Sequence, residues 1–174
     1  MGFSIIIASA IMFIAILTSL AVMLTVASNM YKANDVMVKS TMIRKDVNDT
    51  SIDISNLTID SSDRRHVSFI LSNDGKSKLF NYTYFDLIVT YYYRDTMDND
   101  VMLIERLSYS NILQEGQWIL SIQDDVIDPN ILNPKENARV EAMLSNPITS
   151  TPSKNIIITI STDNGVVATL ASTT

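Results

Sequence analysis

FSIIIASAIMFIAILTSLAVMLTV, residues 3–26, decides what kind of chain this is. The first charged side chain is Lys32. At about 1.5 Å of rise per residue, a helix of this length spans the ~30 Å hydrocarbon core of a bilayer with some tilt to spare. Thirteen of these residues are Phe, Ile, Leu or Val. Each favours insertion by roughly 0.3–0.6 kcal/mol, offset in part by Ser4, Ser9, Thr18, Ser19 and Thr25. A helix packed on a soluble core would show a polar face, and this run has none. A cleavable secretory signal would carry a basic start and only about 7–15 apolar residues. A myristoylation signal would need Ser or Thr where this chain has Ile6. The helix is therefore expected to remain as an anchor in a membrane or a filament core.

Outward from this run, no Gly or Pro interrupts the chain from Leu24 to Lys45. Met23, Met30 and Met37 recur at seven-residue spacing, with Val26 and Ala33 between them. That is one helical face with the a/d spacing of a seam, and methionine adapts to varied partners. Residues 32–49 are expected to form a helical stalk that meets a partner helix along Met23, Val26, Met30, Ala33 and Met37.

From residue 50 the period changes to alternation. Ile52, Ile54, Leu57 and Ile59 mark a first strand with an irregularity at Ser55-Asn56. A second strand runs through Val67, Phe69 and Leu71 into Asn73-Asp74-Gly75, a turn expected to use positive φ. Leu79–Tyr93 is strand-rich and too long for one straight strand. Turns follow at Met97–Asp100 and Gln114–Gly116, with loops over Asp124–Glu136 and 146–154. The chain closes on a hairpin, Ile156–Ser161 and Val166–Ala171, around Asp163-Asn164-Gly165. Seven or eight such strands predict a mainly β fold with one N-terminal helix, the strands forming an antiparallel immunoglobulin-like β-sandwich. The expected division is 1–31 hydrophobic helix, 32–49 stalk and 50–174 sandwich.

Composition narrows the function classes. Net charge is −6 and there is no cysteine, which disfavours nucleic-acid backbone binding, disulfides and thiolate metal sites. Lys32, Lys39, Arg44 and Lys45 follow the helix and by themselves favour a cytoplasmic stalk. Sequons at Asn48, Asn56 and Asn81 favour an exported domain, and glycosylation there is expected. The C-terminal domain is expected outside the membrane. His66 is the single histidine and no G-x-S-x-G elbow occurs, so neither an enzyme nor a bound cofactor is expected. Asp124, Asp125 and Asp128 are candidate calcium ligands, although their spacing is not that of an EF-hand loop. Tyr82, Tyr84, Tyr91, Tyr92 and Tyr93 crowd one strand region expected near a sheet edge, and are candidates for an interface.

Several of these motifs occur in a recognisable order. Met1-Gly2-Phe3-Ser4 opens an uncharged helix, and Ser51-Ile52-Asp53-Ile54-Ser55-Asn56-Leu57-Thr58 follows. Then come Ser72-Asn73-Asp74-Gly75-Lys76, Leu79 and Tyr84-Phe85-Asp86-Leu87-Ile88-Val89. In this order the chain resembles the archaellum accessory protein F family. Asn73-Asp74-Gly75 stands where the family often has Asn-Thr-Gly, and residues 95–137 are longer than the family pattern.

The resemblance implies a membrane-anchored stator of archaeal motility. Its extracytoplasmic sandwich would bind the surface-layer protein and a related accessory protein, in an oligomer. Trp118, Asp125 and Pro129–Glu136 also resemble archaellins and type IV pilin-like subunits, which implies the alternative of identical subunits polymerising through the helix into an extracellular filament. Those subunits carry a basic leader, and none precedes Phe3 in the sequence as numbered. A second alternative is an anchored carbohydrate- or calcium-binding module.

Overall fold

The computed structural model describes residues 2–125, 127–151 and 155–173. Two compact units divide between Arg44 and Lys45. One helix, α1 (Gly2–Asp49), provides the first unit and the opening turn of the second. It is long and apolar enough to cross a membrane, and none of its apolar window is buried in the protein. Its hydroxyls bond backward to carbonyls: Ser9 to Ile6 at 2.8 Å, Thr18 to Ile14 at 3.0 Å and Thr25 to Ala21 at 2.9 Å. Their donors are thus satisfied inside the helix, which lowers the cost of polar groups in an apolar medium. On the stalk, Asp35 and Lys39 pair at 2.9 Å. The side chains of residues 1–5, including Phe3 and Ser4, lie outside the described ones.

The second unit contains eight strands. They are β1 (Ile52–Ile59), β2 (His66–Asn73), β3 (Asp86–Arg94) and β4 (Asp100–Tyr109). β5 (Gln117–Ile122), β6 (Asn137–Met143), β7 (Asn155–Ser161) and β8 (Val167–Thr173) complete the set. Their hydrogen-bonded order is β1-β2-β6-β5-β4-β3-β7-β8, with the two end strands in contact. The result is a sandwich close to a closed barrel. Every pair is antiparallel except β4 and β5, which run parallel for Ser108–Tyr109 against Gln117–Trp118. That join departs from the all-antiparallel expectation.

The core follows the alternation. Val67, Phe69 and Leu71 of β2, with Trp118 and Val140, form one inner face. Leu87, Val89, Ile158 and Ile160 form the other. At roughly 1.5–3 kcal/mol for each large side chain, this burial dominates the stability of the unit.

Local features match some expectations and correct others. β1 slips register between Ser55 and Thr58 where Asn56 takes φ 54°, the expected irregularity. Gly165 turns the last hairpin at φ 85°. The 79–93 segment is broken by a 3-10 turn at Tyr82–Tyr84, with Leu79 bridged to Leu132. The 146–154 loop is described as far as residue 151, and 152–154 lie outside the described residues.

Gly75 is a correction. Its φ is not positive, and its role is close approach. A Cβ there would lie 2.5 Å from both the Asp49 carbonyl oxygen and the Ser51 nitrogen. Without it, the N–H groups of Lys76 and Ser77 reach the Asp49 carbonyl at 2.6 and 3.0 Å, and those of Asp74 and Gly75 reach Ser51 at 2.9 and 3.0 Å. The bonds to Asp49 satisfy a carbonyl that the helix C-terminus leaves unpaired. The helix ends at Asp49, the end expected of the stalk. Buried Asn73 fixes the turn, donating to the Ser77 and Leu132 carbonyls at 2.8 and 2.9 Å and accepting from the Gly75 N–H.

Candidate functional site

On the helix, Met23, Met30 and Met37 are each more than two-thirds exposed, with Val26 and Ala33 exposed between them. Ala27 and Ala33 are small, so Met30 and Met37 stand proud and flank a shallow apolar groove of about 500 Å³ with Tyr31 and Asn34 on its border. Small residues between flexible apolar ones give a partner helix room to approach closely.

The tyrosine cluster divides. Tyr82 and Tyr91 are core residues, 6% and 0% exposed, which removes them as partner contacts. Tyr91 faces inward by alternation on β3, and its hydroxyl donates to Glu105 at 2.8 Å. Glu105 also accepts from the Ser145 N–H and hydroxyl. Burial raises the Tyr91 phenol above its ordinary range. Tyr82 lies in the 3-10 turn, where its hydroxyl donates to the Leu79 carbonyl at 2.8 Å and accepts from the Leu132 N–H at 3.0 Å. Desolvation pushes its phenol up to about 12. Tyr93 packs against the core, Tyr92 is half-buried on the opposite face, and Tyr84 is 73% exposed.

Nor is β3 an edge strand, since β4 and β7 flank it. Tyr92 sits opposite Met102, and Thr90 lies between Ile104 and Ile157. Met102 and Ile104 are both more than half exposed. The outer face of this layer is therefore an apolar patch that neither a tyrosine count nor a charge count revealed. The alternation of β4 (VMLIERL, 101–107) carries its signal, because apolar residues occupy both strand faces at Val101–Ile104.

The other candidates fall at separate places. Asn48 and Asn56 are exposed, while Asn81 is half-buried and donates to Asp163 at 3.2 Å. Asp124, Asp125 and Asp128 share a loop, but Asp128 pairs with Lys78 and Asp125 accepts from the Asn130 N–H at 2.8 Å. Among the described residues, no three His, Cys, Asp or Glu side chains converge as a metal site would need. His66 stands 3.9 Å from both Asp60 and Glu141, beyond hydrogen-bond reach.

A cleft of about 650 Å³ lies between the Tyr82 turn, the Tyr109–Asn111 segment and the 120–130 region. Two of its lining residues, Tyr82 and Tyr109, belong to a run of rings that continues into the core: Tyr82 contacts Phe85 and Tyr109, and Tyr109 contacts Trp118 at 4.9 Å. Sequence periodicity misses the cleft because its parts come from the 80–83 segment, the end of β4 with Asn111 beyond it, and β5 with the loop that follows, which are far apart in the chain.

The conserved flagellar protein F immunoglobulin-like domain matches residues 48–170. The chain belongs to that family. The match takes in all of β1–β7 and most of β8, so the flagellar protein F domain and the sandwich described above coincide. No curated protein matches the chain in sequence.

Among solved structures, the archaeal flagellum of Methanospirillum hungatei strain JF1 is similar at 12% identity and a TM-score of 0.64, over 96% of this chain and 92% of that one. At that identity the likeness is one of fold, a long N-terminal helix followed by a β domain. The archaellum periplasmic stator protein FlaG from Sulfolobus acidocaldarius aligns at 21% identity with a TM-score of 0.47, over 71% of this chain and 99% of that one. The FlaF and FlaG stator complex from the same organism aligns at 16% identity and a TM-score of 0.49, over 70% and 87%.

Proposed function

We propose that this flagellar protein F family member is an anchored stator component of the archaellum. The family match over 48–170, joined to an apolar helix long enough to span a membrane, carries the reading. In it, α1 holds the protein in the archaeal cell membrane, the sandwich stands outside, and the sandwich binds the surface layer and a related accessory protein.

The physical features support binding over catalysis. The Met23/Val26/Met30/Ala33/Met37 face is exposed along the helix, and Met102 and Ile104 are exposed on the sandwich. Contiguous exposed apolar surface of this kind marks protein contacts. Tyr84, Tyr92 and Tyr93 remain the tyrosines assigned to the sandwich interface. Asn48, Asn56 and Asn81 are assigned as glycan acceptors of the exported domain. The alternative of a filament subunit uses the same helix face against identical copies.

Mass spectrometry of sheared filaments and of the cell envelope tests the choice. The stator reading expects this chain in the envelope, co-purifying with surface-layer protein. Abundance in the filament, with residues 3–26 in its core, would replace that reading with the subunit one.

A further inference from the structure

The cleft beside Tyr109 has the size and chemistry of a ligand site. Its volume of about 650 Å³ falls within the ~300–1,000 Å³ usual for small-molecule sites. Three features select a ligand class. Phe80 lies on the cleft wall with its side chain 56% exposed, and such a ring stacks on the C–H face of a pyranose. Asn81, Asn111 and Asn130 line the same space. Their amides offer paired donors and acceptors, the complement of vicinal hydroxyls. Asp125 also lines the cleft, half-buried, and accepts the Asn130 N–H on one carboxylate oxygen at 2.8 Å. An ionised carboxylate has about four lone-pair sites, so Asp125 keeps acceptor capacity for a sugar hydroxyl. Among the described lining residues there is no Lys or Arg, so anionic ligands meet only the negative charge of Asp125.

We propose that this cleft binds a neutral saccharide, with Phe80 as the stacking platform and Asp125 as the hydroxyl acceptor. The assignment stands independently of the stator reading. Two sources share the chemistry: a glycan on another surface molecule, or one carried by this chain at Asn81, whose sequon partner Thr83 also lines the cleft.

The test uses the full chain in detergent micelles, made in a host without N-glycosylation. The probes are neutral gluco-, galacto- and manno-configured trisaccharides, with digalacturonate as the acidic comparison. Saturation-transfer NMR and the emission of Trp118, the single tryptophan, read binding. We expect saturation transfer from at least one neutral probe with Kd on the order of 1 mM. Phe80→Ala and Asn111→Ala, both at exposed positions, should weaken it roughly tenfold without changing the thermal midpoint.

No transfer from any neutral probe, equal affinity for digalacturonate, or unchanged binding in both variants would overturn the proposal. Protein from a glycosylating archaeal host separates the sources. If the Asn81 glycan fills the cleft, that protein binds added trisaccharide more weakly than the unglycosylated chain; if the glycan comes from elsewhere, the two bind equally.

Discussion

Replacing Gly75 with alanine should be the most damaging single-methyl change in the sandwich unit. The new Cβ would sit 2.5 Å from the Asp49 carbonyl oxygen, 2.5 Å from the Ser51 nitrogen and 3.1 Å from the Thr50 carbonyl carbon. All three are backbone atoms, so no side chain can swing away to relieve the overlap. Overpacking of this kind costs about 1–3 kcal/mol. The backbone shift that relieves it also lengthens the bonds from Lys76 and Ser77 to Asp49, and from Asp74 and Gly75 to Ser51. At about 1 kcal/mol net per hydrogen bond, losing one or two brings the total to roughly 3 kcal/mol. With about 4 °C of midpoint per kcal/mol at this domain size, the melt should fall by about 12 °C.

Gly165→Ala is the control. Gly165 has open space around its would-be Cβ but a φ of +85°, so it should lose only about 1 kcal/mol, or roughly 4 °C. Thermal melts of the full chain in detergent, followed by near-ultraviolet circular dichroism of buried Trp118, separate the two. A Gly75→Ala midpoint at or above that of Gly165→Ala would refute the argument from close approach.

Tyr82 gives an alkaline signature. An unfolded chain releases this proton near pH 10, whereas the folded protein holds it to about 12. Stability should be level below pH 10 and fall between about pH 10 and 12, because only the unfolded state gains from ionisation. Denaturant titrations across that range should show a shallower fall for Tyr82→Phe, with the residue from Tyr91 and Tyr109, whose phenols burial also raises. Exchanging both Met30 and Met37 for Glu should abolish recovery of the partner in a membrane pull-down, while leaving the sandwich melt unchanged. Undiminished recovery would remove the seam.

Much of the fold was legible because it rests on local chemistry. Asp163-Asn164-Gly165 marks a tight hairpin whatever surrounds it. The β1 slip is visible as a break in the alternation at Ser55-Asn56. What escaped depends on residues remote in sequence. Asn73-Asp74-Gly75 reads as a positive-φ turn, yet the Asp49–Ser51 backbone lying against Gly75 sets its geometry. The tyrosine-rich segment reads as one aromatic surface, but the 3-10 turn buries Tyr82, and β4 and β7 on either side make β3 an interior strand. The parallel β4–β5 join and the Phe80–Asp125 cleft bring together residues from different segments, and no single-segment period encodes them.

The attachment of residues 46–51 has a mechanical consequence. Asp49 and Ser51 are held by the 74–77 turn that follows β2, and Thr50 accepts a 2.7 Å bond from Asn164 in the β7–β8 hairpin. Those two turns belong to opposite layers of the sandwich. Tension arriving along the chain at residue 50 therefore divides between both layers, and β1 cannot peel away from β2 until the two clasps have opened together. A domain tethered in this way resists pulling by sharing the load at its entry point, before any strand pair is strained.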